Sequence, residues 1–248
     1  MYIFATMRRV ITILVAMILT CSVHAQQTAD FDATMRQYGL VNIRDIDPTI
    51  LVDLKYSTDD NFVGADMYGA LDDAYFEAEF ADRVARAQKI LMSRYPNYRL
   101  LIYDAARPIS VQRYMRSLVE GTRLESFVAD GTKGGRHNYG VAVDLTIATA
   151  DGTPLDMGAG FDDFTDAAAV KGTPDTDDPT SRTPEVYRLY ADEQVQRGTI
   201  SREAADNRIL LIEVMYEAGL VPYRREWWHF EEIISMNETR SKYKLLDF

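Results

Sequence analysis

The chain has 248 residues, with 38 acidic against 27 basic side chains and a formal net charge of −11. That balance argues against nucleic acid as a partner, because affinity for a phosphate backbone rests on Lys and Arg. One cysteine leaves no internal disulfide framework, so stability must come from the packed core that a 47% hydrophobic composition supplies.

Residues 1–25 read as a secretory leader. Arg8 and Arg9 form the basic start, Val10 to Thr20 the apolar stretch, and Val23-His24-Ala25 a small-residue cleavage site. The apolar stretch is shorter than the ~20 residues needed to span a bilayer. The expectation is an exported, periplasmic protein with no stable membrane insertion, its residues 26–248 forming one domain. Lipid attachment at Cys21 is not expected, since Thr20 stands where such sites carry Gly or Ala. Removing the leader takes away the only cysteine and one of three histidines, leaving His137 and His229.

Val41 to Ile46 and Ile50 to Tyr56 read as two strands of a hairpin around Asp47-Pro48. Asn61-Phe62-Val63-Gly64 begins a polar and aromatic loop. From about Ala74 to Tyr95 a helix is predicted by the spacing of Phe76, Phe80, Val84, Ala87 and Leu91, with Pro96 as its stop. Arg99 to Asp104 reads as a buried strand that turns through Ala105-Ala106-Arg107-Pro108 into a helix near Ser110. Arg107 thus sits at the end of a strand, where sites are often built, although the same position suits a surface ion pair.

A glycine-rich approach, Gly131 to Gly135, precedes His137, and Val141 to Ile147 reads as a strand containing Asp144. A carboxylate inside an apolar strand is costly unless paired or bound to a metal. His137 and Asp144 are an odd number of residues apart, so His137 must lie on the preceding turn, with Gly140 lending backbone freedom. Asp156 to Phe164 is a polar loop, and Gly172 to Pro184 a surface excursion that could act as a lid. Pro184 to Gln196 and Ser201 to Ala218 read as helices. Val221 to Phe230 reads as an aromatic strand that must bend if Glu226 and His229 are to aim at one point.

Both remaining histidines lie at short spacing from carboxylates. A catalytic zinc takes three ligands from His, Asp, Glu and Cys and leaves a fourth position open. His137, Asp144 and His229 meet that requirement. Glu226 is then free to act as general base and acid, with Arg107 facing the carbonyl oxygen as charge develops. Trp227 and Trp228 read as core or pocket wall.

Arg136-His137-Asn138-Tyr139-Gly140-Val141-Ala142-Val143-Asp144-Leu145-Thr146 resembles the His-x6-Asp zinc motif of the D-alanyl-D-alanine metallopeptidases, and Glu226-Trp227-Trp228-His229-Phe230 resembles their second motif. Asp53-Leu54-Lys55-Tyr56, Asn61-Phe62-Val63-Gly64, Asp104-Ala105-Ala106-Arg107-Pro108, and Met157-Gly158 with Phe161-Asp162 resemble the dipeptidase, or VanX-type, branch. The resemblance implies an α+β fold, with a central antiparallel sheet of about four or five strands and helices packed against it, of the hedgehog-like type. It implies one Zn2+ held by His137, Asp144 and His229, Glu226 as base and Arg107 as stabiliser of the tetrahedral intermediate. It also implies Tyr56 and Asp162 at the amino end of a small dipeptide substrate.

The activity so implied is hydrolysis of D-alanyl-D-alanine, or a related D-amino-acid dipeptide, in cell-wall peptide turnover. The alternatives are a carboxypeptidase or endopeptidase acting on wall stem peptides, and a non-catalytic wall-binding module. Two positions depart from the family pattern: Gly135 stands where a serine helps to hold the substrate carboxylate, and Asn138-Tyr139 replaces a Ser-Arg pair.

Overall fold

The computed structural model describes residues 31–171 and 182–248. The leader expected at 1–25 and most of the excursion expected after Gly172 lie outside the described residues.

Five strands form the central sheet: β2 (Leu51–Val52), β4 (Tyr98–Asp104), β5 (Ala142–Thr149), β6 (Leu220–Pro222) and β7 (His229–Glu232), in the order β2-β4-β5-β7-β6. Its pairings are antiparallel except at the edge, where β2 runs parallel to β4. β4 and β5 are buried along most of their length, which explains why they read as continuous apolar runs. A separate two-stranded pair joins β1 (Val41–Asn42) to β3 (Tyr75–Phe76).

The helices are α1 (31–37), α2 (Ile43–Ile46), α3 (Ala78–Arg94), α4 (Ile109–Val119), α5 (Pro184–Gln196), α6 (Arg202–Glu217) and α7 (Met236–Lys242). Phe80, Val84, Ala87 and Leu91 form the inward stripe of α3 and are completely buried. They belong to one apolar cluster with Leu100 and Ile102 of β4, Leu145 and Ile147 of β5, and Leu211 and Ile212 of α6. Burying side chains of this size contributes roughly 1.5–3 kcal/mol each. That cluster is the rigid floor from which the polar ends of β4, β5 and β7 project.

The hairpin expected at 41–56 does not form. Asn42 caps α2 by accepting from the Arg44 N–H, so the β-prone residues 43–46 close one helical turn. Asp47 then accepts from the Thr49 N–H, and the chain leaves that turn toward β4 rather than back along β1. The helix expected from Ala74 begins at Ala78, because Tyr75 and Phe76 are spent in β3. The single strand expected at 221–230 is two short strands with a turn between them. Glu226 N–H donates to Tyr223 O and His229 N–H to Glu226 O, at 3.1 and 3.4 Å. Tyr223 N–H donates to His229 O at 2.8 Å and closes the connection.

Candidate metal and peptide site

Cross-strand register builds the site. Asp144 on β5 lies opposite His229 on β7, and Asp104 on β4 lies opposite Asp144. A register shift between Ile102 and Asp104 inserts Tyr103 as an extra residue and carries Asp104 onto that row. Three adjacent strands therefore present Asp104, Asp144 and His229 side by side.

His137 arrives from the 3-10 turn Arg136–Tyr139. Gly140 ends that turn at φ 70°, and a Cβ there would lie 3.0 Å from Leu40 Cδ2 and 3.2 Å from Glu77 N. Only glycine meets both demands. The turn is tied to the end of β4 by Arg107 N–H donating to His137 O at 3.0 Å and Asn138 Nδ2 donating to Arg107 O at 2.8 Å.

The three groups meet closely. His137 Nε2 is 3.2 Å from His229 Nδ1, Asp144 Oδ1 is 3.3 Å from the former and 3.0 Å from the latter. His137 Nδ1 has Ala105 O at 2.8 Å, an acceptor that requires the ring proton on Nδ1. His229 Nε2 has the Glu231 carboxylate at 3.4 Å, which favours its proton on Nε2. Both inward nitrogens are then lone pairs, and with a carboxylate oxygen they form three acceptors facing one point. Such a donor set fits a divalent cation, and the outer partners Ala105 O and Glu231 are of the kind that orient metal-bound imidazoles. Among the described residues this is the group of His, Cys, Asp and Glu side chains able to hold a metal.

The local field asks for positive charge. Burial works against a charged His229, yet bonds to Asp144 and Glu231 more than offset it and raise the imidazole to about 10. Burial likewise opposes ionisation of Asp144, but His137 and His229 hold it well below the usual carboxylate range. Asp162 is pushed well above that range by burial and then by Asp144, with the Tyr56 hydroxyl opposing. Glu226, whose side chain is 14% exposed and 3.9 Å from His229, is raised to about 7, chiefly by burial.

Arg107 donates to Asp104 through Nε and Nη2, to Gln112 Oε1 through Nη1 at 3.0 Å, and lies over the Tyr56 ring at 5.1 Å. Tyr56 OH in turn donates to Asp162 at 3.0 Å. Asp162 has φ 59°, the one positive value for a non-glycine among the described residues. Such a backbone persists only where its surroundings over-determine it. Here α5 and α6 clamp the loop: Arg208 Nε donates to Met157 O at 2.6 Å, Asn207 to Asp156 O at 2.9 Å, and Gln194 to Asp166 O at 3.1 Å.

All seven residues singled out from the sequence, Tyr56, Arg107, His137, Asp144, Asp162, Glu226 and His229, line one cavity of about 330 Å3. Trp228 is buried in its wall and Trp227 packs edge-on against it.

The sequence reading missed Asp104, Glu231 and Tyr68. Asp104 is completely buried and accepts from Tyr68 OH at 2.6 Å, from Arg107, and approaches His137 Nδ1 at 3.5 Å. The reasoning that flagged Asp144 inside an apolar strand applies equally to Asp104. Glu231 follows His229 by two in β7, so strand alternation puts both on one face.

The D-ala-D-ala dipeptidase family, peptidase M15, matches residues 36–175 and 192–244. The chain belongs to this family. Family M15 peptidases are metallopeptidases, in keeping with the His-Asp-His cluster. The D-alanyl-D-alanine dipeptidase of Escherichia coli K12 is 29% identical over 192 residues, which cover 77% of this chain and 83% of that protein. The D-alanyl-D-alanine dipeptidase of Synechocystis sp. is 27% identical over 179 residues, 60% of this chain and 66% of the relative. The M15 fold carries the mixed α+β organisation described above, and no helix of the described residues is long and apolar enough to cross a membrane.

Proposed function

We propose that the protein is a zinc-dependent dipeptidase that hydrolyses D-alanyl-D-alanine or a related D-amino-acid dipeptide. The observation that carries this reading is the convergence of two imidazole lone pairs and a carboxylate beside a largely buried glutamate held near neutrality. His137, Asp144 and His229 would hold the ion. When bound, zinc supplies a Lewis acid for the scissile carbonyl and makes water acidic enough to ionise near pH ~7.

Glu226 takes the proton of the attacking water at its carboxylate and delivers it to the leaving amine, a double role suited to a group near neutrality. Arg107, held by Asp104 and Gln112, offers its guanidinium to the carbonyl oxygen as negative charge grows there. Asp162 and Tyr56 receive the substrate ammonium, which supplies the positive charge that the buried Asp162 carboxylate needs. In the exported setting expected from residues 1–25, the reaction would recycle dipeptides released from the cell wall.

The test is metal analysis of the purified protein together with product release from a panel of D,D, L,D and L,L dipeptides and a wall pentapeptide. Chelation is expected to abolish D-Ala-D-Ala cleavage and zinc to restore it. Glu226→Gln is expected to keep the metal and lose about 10²–10⁴-fold in kcat. Preference for the pentapeptide would favour a carboxypeptidase, and full turnover by the metal-loaded Glu226→Gln protein would remove the base assignment.

A further inference from the structure

A free dipeptide is a zwitterion, and the site described so far answers only its ammonium. The groups around the cluster are predominantly acidic: Asp104, Asp144, Asp162, Glu226 and Glu231. A carboxylate entering this field needs a cation. Of the two arginines that line the cavity, Arg107 is assigned above to the carbonyl oxygen, and both are tied to protein partners. Arg107 spends Nε and Nη2 on Asp104 and Nη1 on Gln112. Arg136 spends Nε on Glu231, Nη1 on Thr239 Oγ1 and Nη2 on Ile234 O. Gly135 offers no side chain, although a Cβ there would meet only Ala129 Cβ at 3.5 Å.

One cation is differently placed: Arg225 is not part of the cavity wall but stacks on a side chain that is. Arg225 belongs to the β6–β7 turn, one residue before Glu226, and among the described residues it makes no ion pair. Its guanidinium lies 3.9 Å from the Phe127 ring centroid, and its charge favours ionisation of the Tyr223 hydroxyl. Phe127 and Tyr223 both line the cavity, and the Tyr223 ring packs 5.7 Å from that of His229. Stacking occupies one face of a guanidinium and leaves its in-plane N–H edge available, the geometry that pairs with a planar carboxylate.

We propose that Arg225 is the anchor for the free C-terminal carboxylate of the substrate. This rests on the dipeptidase reading and deepens it: Asp162 and Arg225 together select a short peptide with both ends free. A substrate whose C-terminus is blocked loses the second anchor.

The test compares D-Ala-D-Ala with D-Ala-D-Ala amide on the zinc-loaded full chain, as kcat and KM separately. Wild type is expected to prefer the free acid by about ten- to a hundredfold in kcat/KM, the size of a hydrogen bond to a charged group. In Arg225→Gln that preference is expected to collapse through KM, and Arg225→Lys to keep part of it. Binding of D-Ala-D-Ala to Glu226→Gln, followed calorimetrically with and without Arg225→Gln, is expected to weaken by the same factor. An acid-to-amide ratio unmoved by Arg225→Gln overturns the anchor while leaving the dipeptidase reading intact. Wild type cleaving neither compound overturns both.

Discussion

Asp104→Asn isolates the contribution of the one carboxylate that touches both halves of the site. Asp104 is completely buried and balances the charge of Arg107, whose side chain is 10% exposed. It also accepts from Tyr68 OH and approaches His137 Nδ1. Removing one partner of a buried pair costs about 3–5 kcal/mol, because the surviving charge is left uncompensated. For a domain of this size each kcal/mol shifts Tm by roughly 2–4 °C, so the variant should melt about 6–20 °C lower. Catalysis should fall as well, by about 10²–10³ if Arg107 leaves the position that faces the carbonyl oxygen. Zinc content should persist, since His137, Asp144 and His229 are untouched. Calorimetric melting, metal analysis and kcat on D-Ala-D-Ala read the three effects separately. A Tm within about 3 °C of wild type, with unchanged kcat, would refute the view that Asp104 holds Arg107 in place.

Gly140→Ala forces a side chain onto a backbone at φ 70° and against Glu77 N at 3.2 Å; strain of about 1–3 kcal/mol is expected, with weaker zinc affinity because the His137 turn shifts, and unaltered melting and zinc titration would contradict it. Arg208, pulled down to about 10 by burial, has Nη2 without a partner. Arg208→Met removes a poorly compensated buried charge but leaves Met157 O without its donor, a loss of about 1–3 kcal/mol that should lower Tm by roughly 2–12 °C, and it should raise KM by loosening the Asp162 loop; a KM unchanged from wild type would count against the clamp. For pH, burial holds Glu226 near 7 and the mechanism proposed above needs its carboxylate. The acid limb of kcat/KM should thus rise with pH and be lost as pH falls through Glu226, with a midpoint below about 7 because a bound dication favours the charged form. A limb centred well above that value would point to another group.

The four groups of the cluster and its base were legible because the chain beyond residue 25 uses histidine only twice, each time close to a carboxylate. The odd spacing of His137 and Asp144 already required a turn between them, and the 3-10 segment with Gly140 supplies it. The bent segment needed to bring Glu226 beside His229 is the β6–β7 connection, although nothing in the residue pattern announced that it would interrupt the strand altogether. β4 and β5 were readable as continuous apolar runs, and α5 and α6 as long uninterrupted segments. The short pieces were not: Val41–Asn42 and Leu51–Val52 are too brief to carry a pattern, and their partners lie far along the chain. Side-chain capping by Asn42 and Asp47 decided their paths. Asp104 was open to the same reasoning as Asp144, but its place beside that residue depends on an inserted residue in β4, which no local spacing reveals.

The pairing of Asp144 with His229 across β5 and β7 makes the proposed metal site a readout of strand alignment. Sliding β5 or β7 by one position would turn Asp144 or His229 to the opposite face, so a metal ion has no complete nest until those strands are paired in register and the His137 turn has closed beside them. Capture of the proposed metal ion should accordingly be a late event in folding, after the strands and the turn have met.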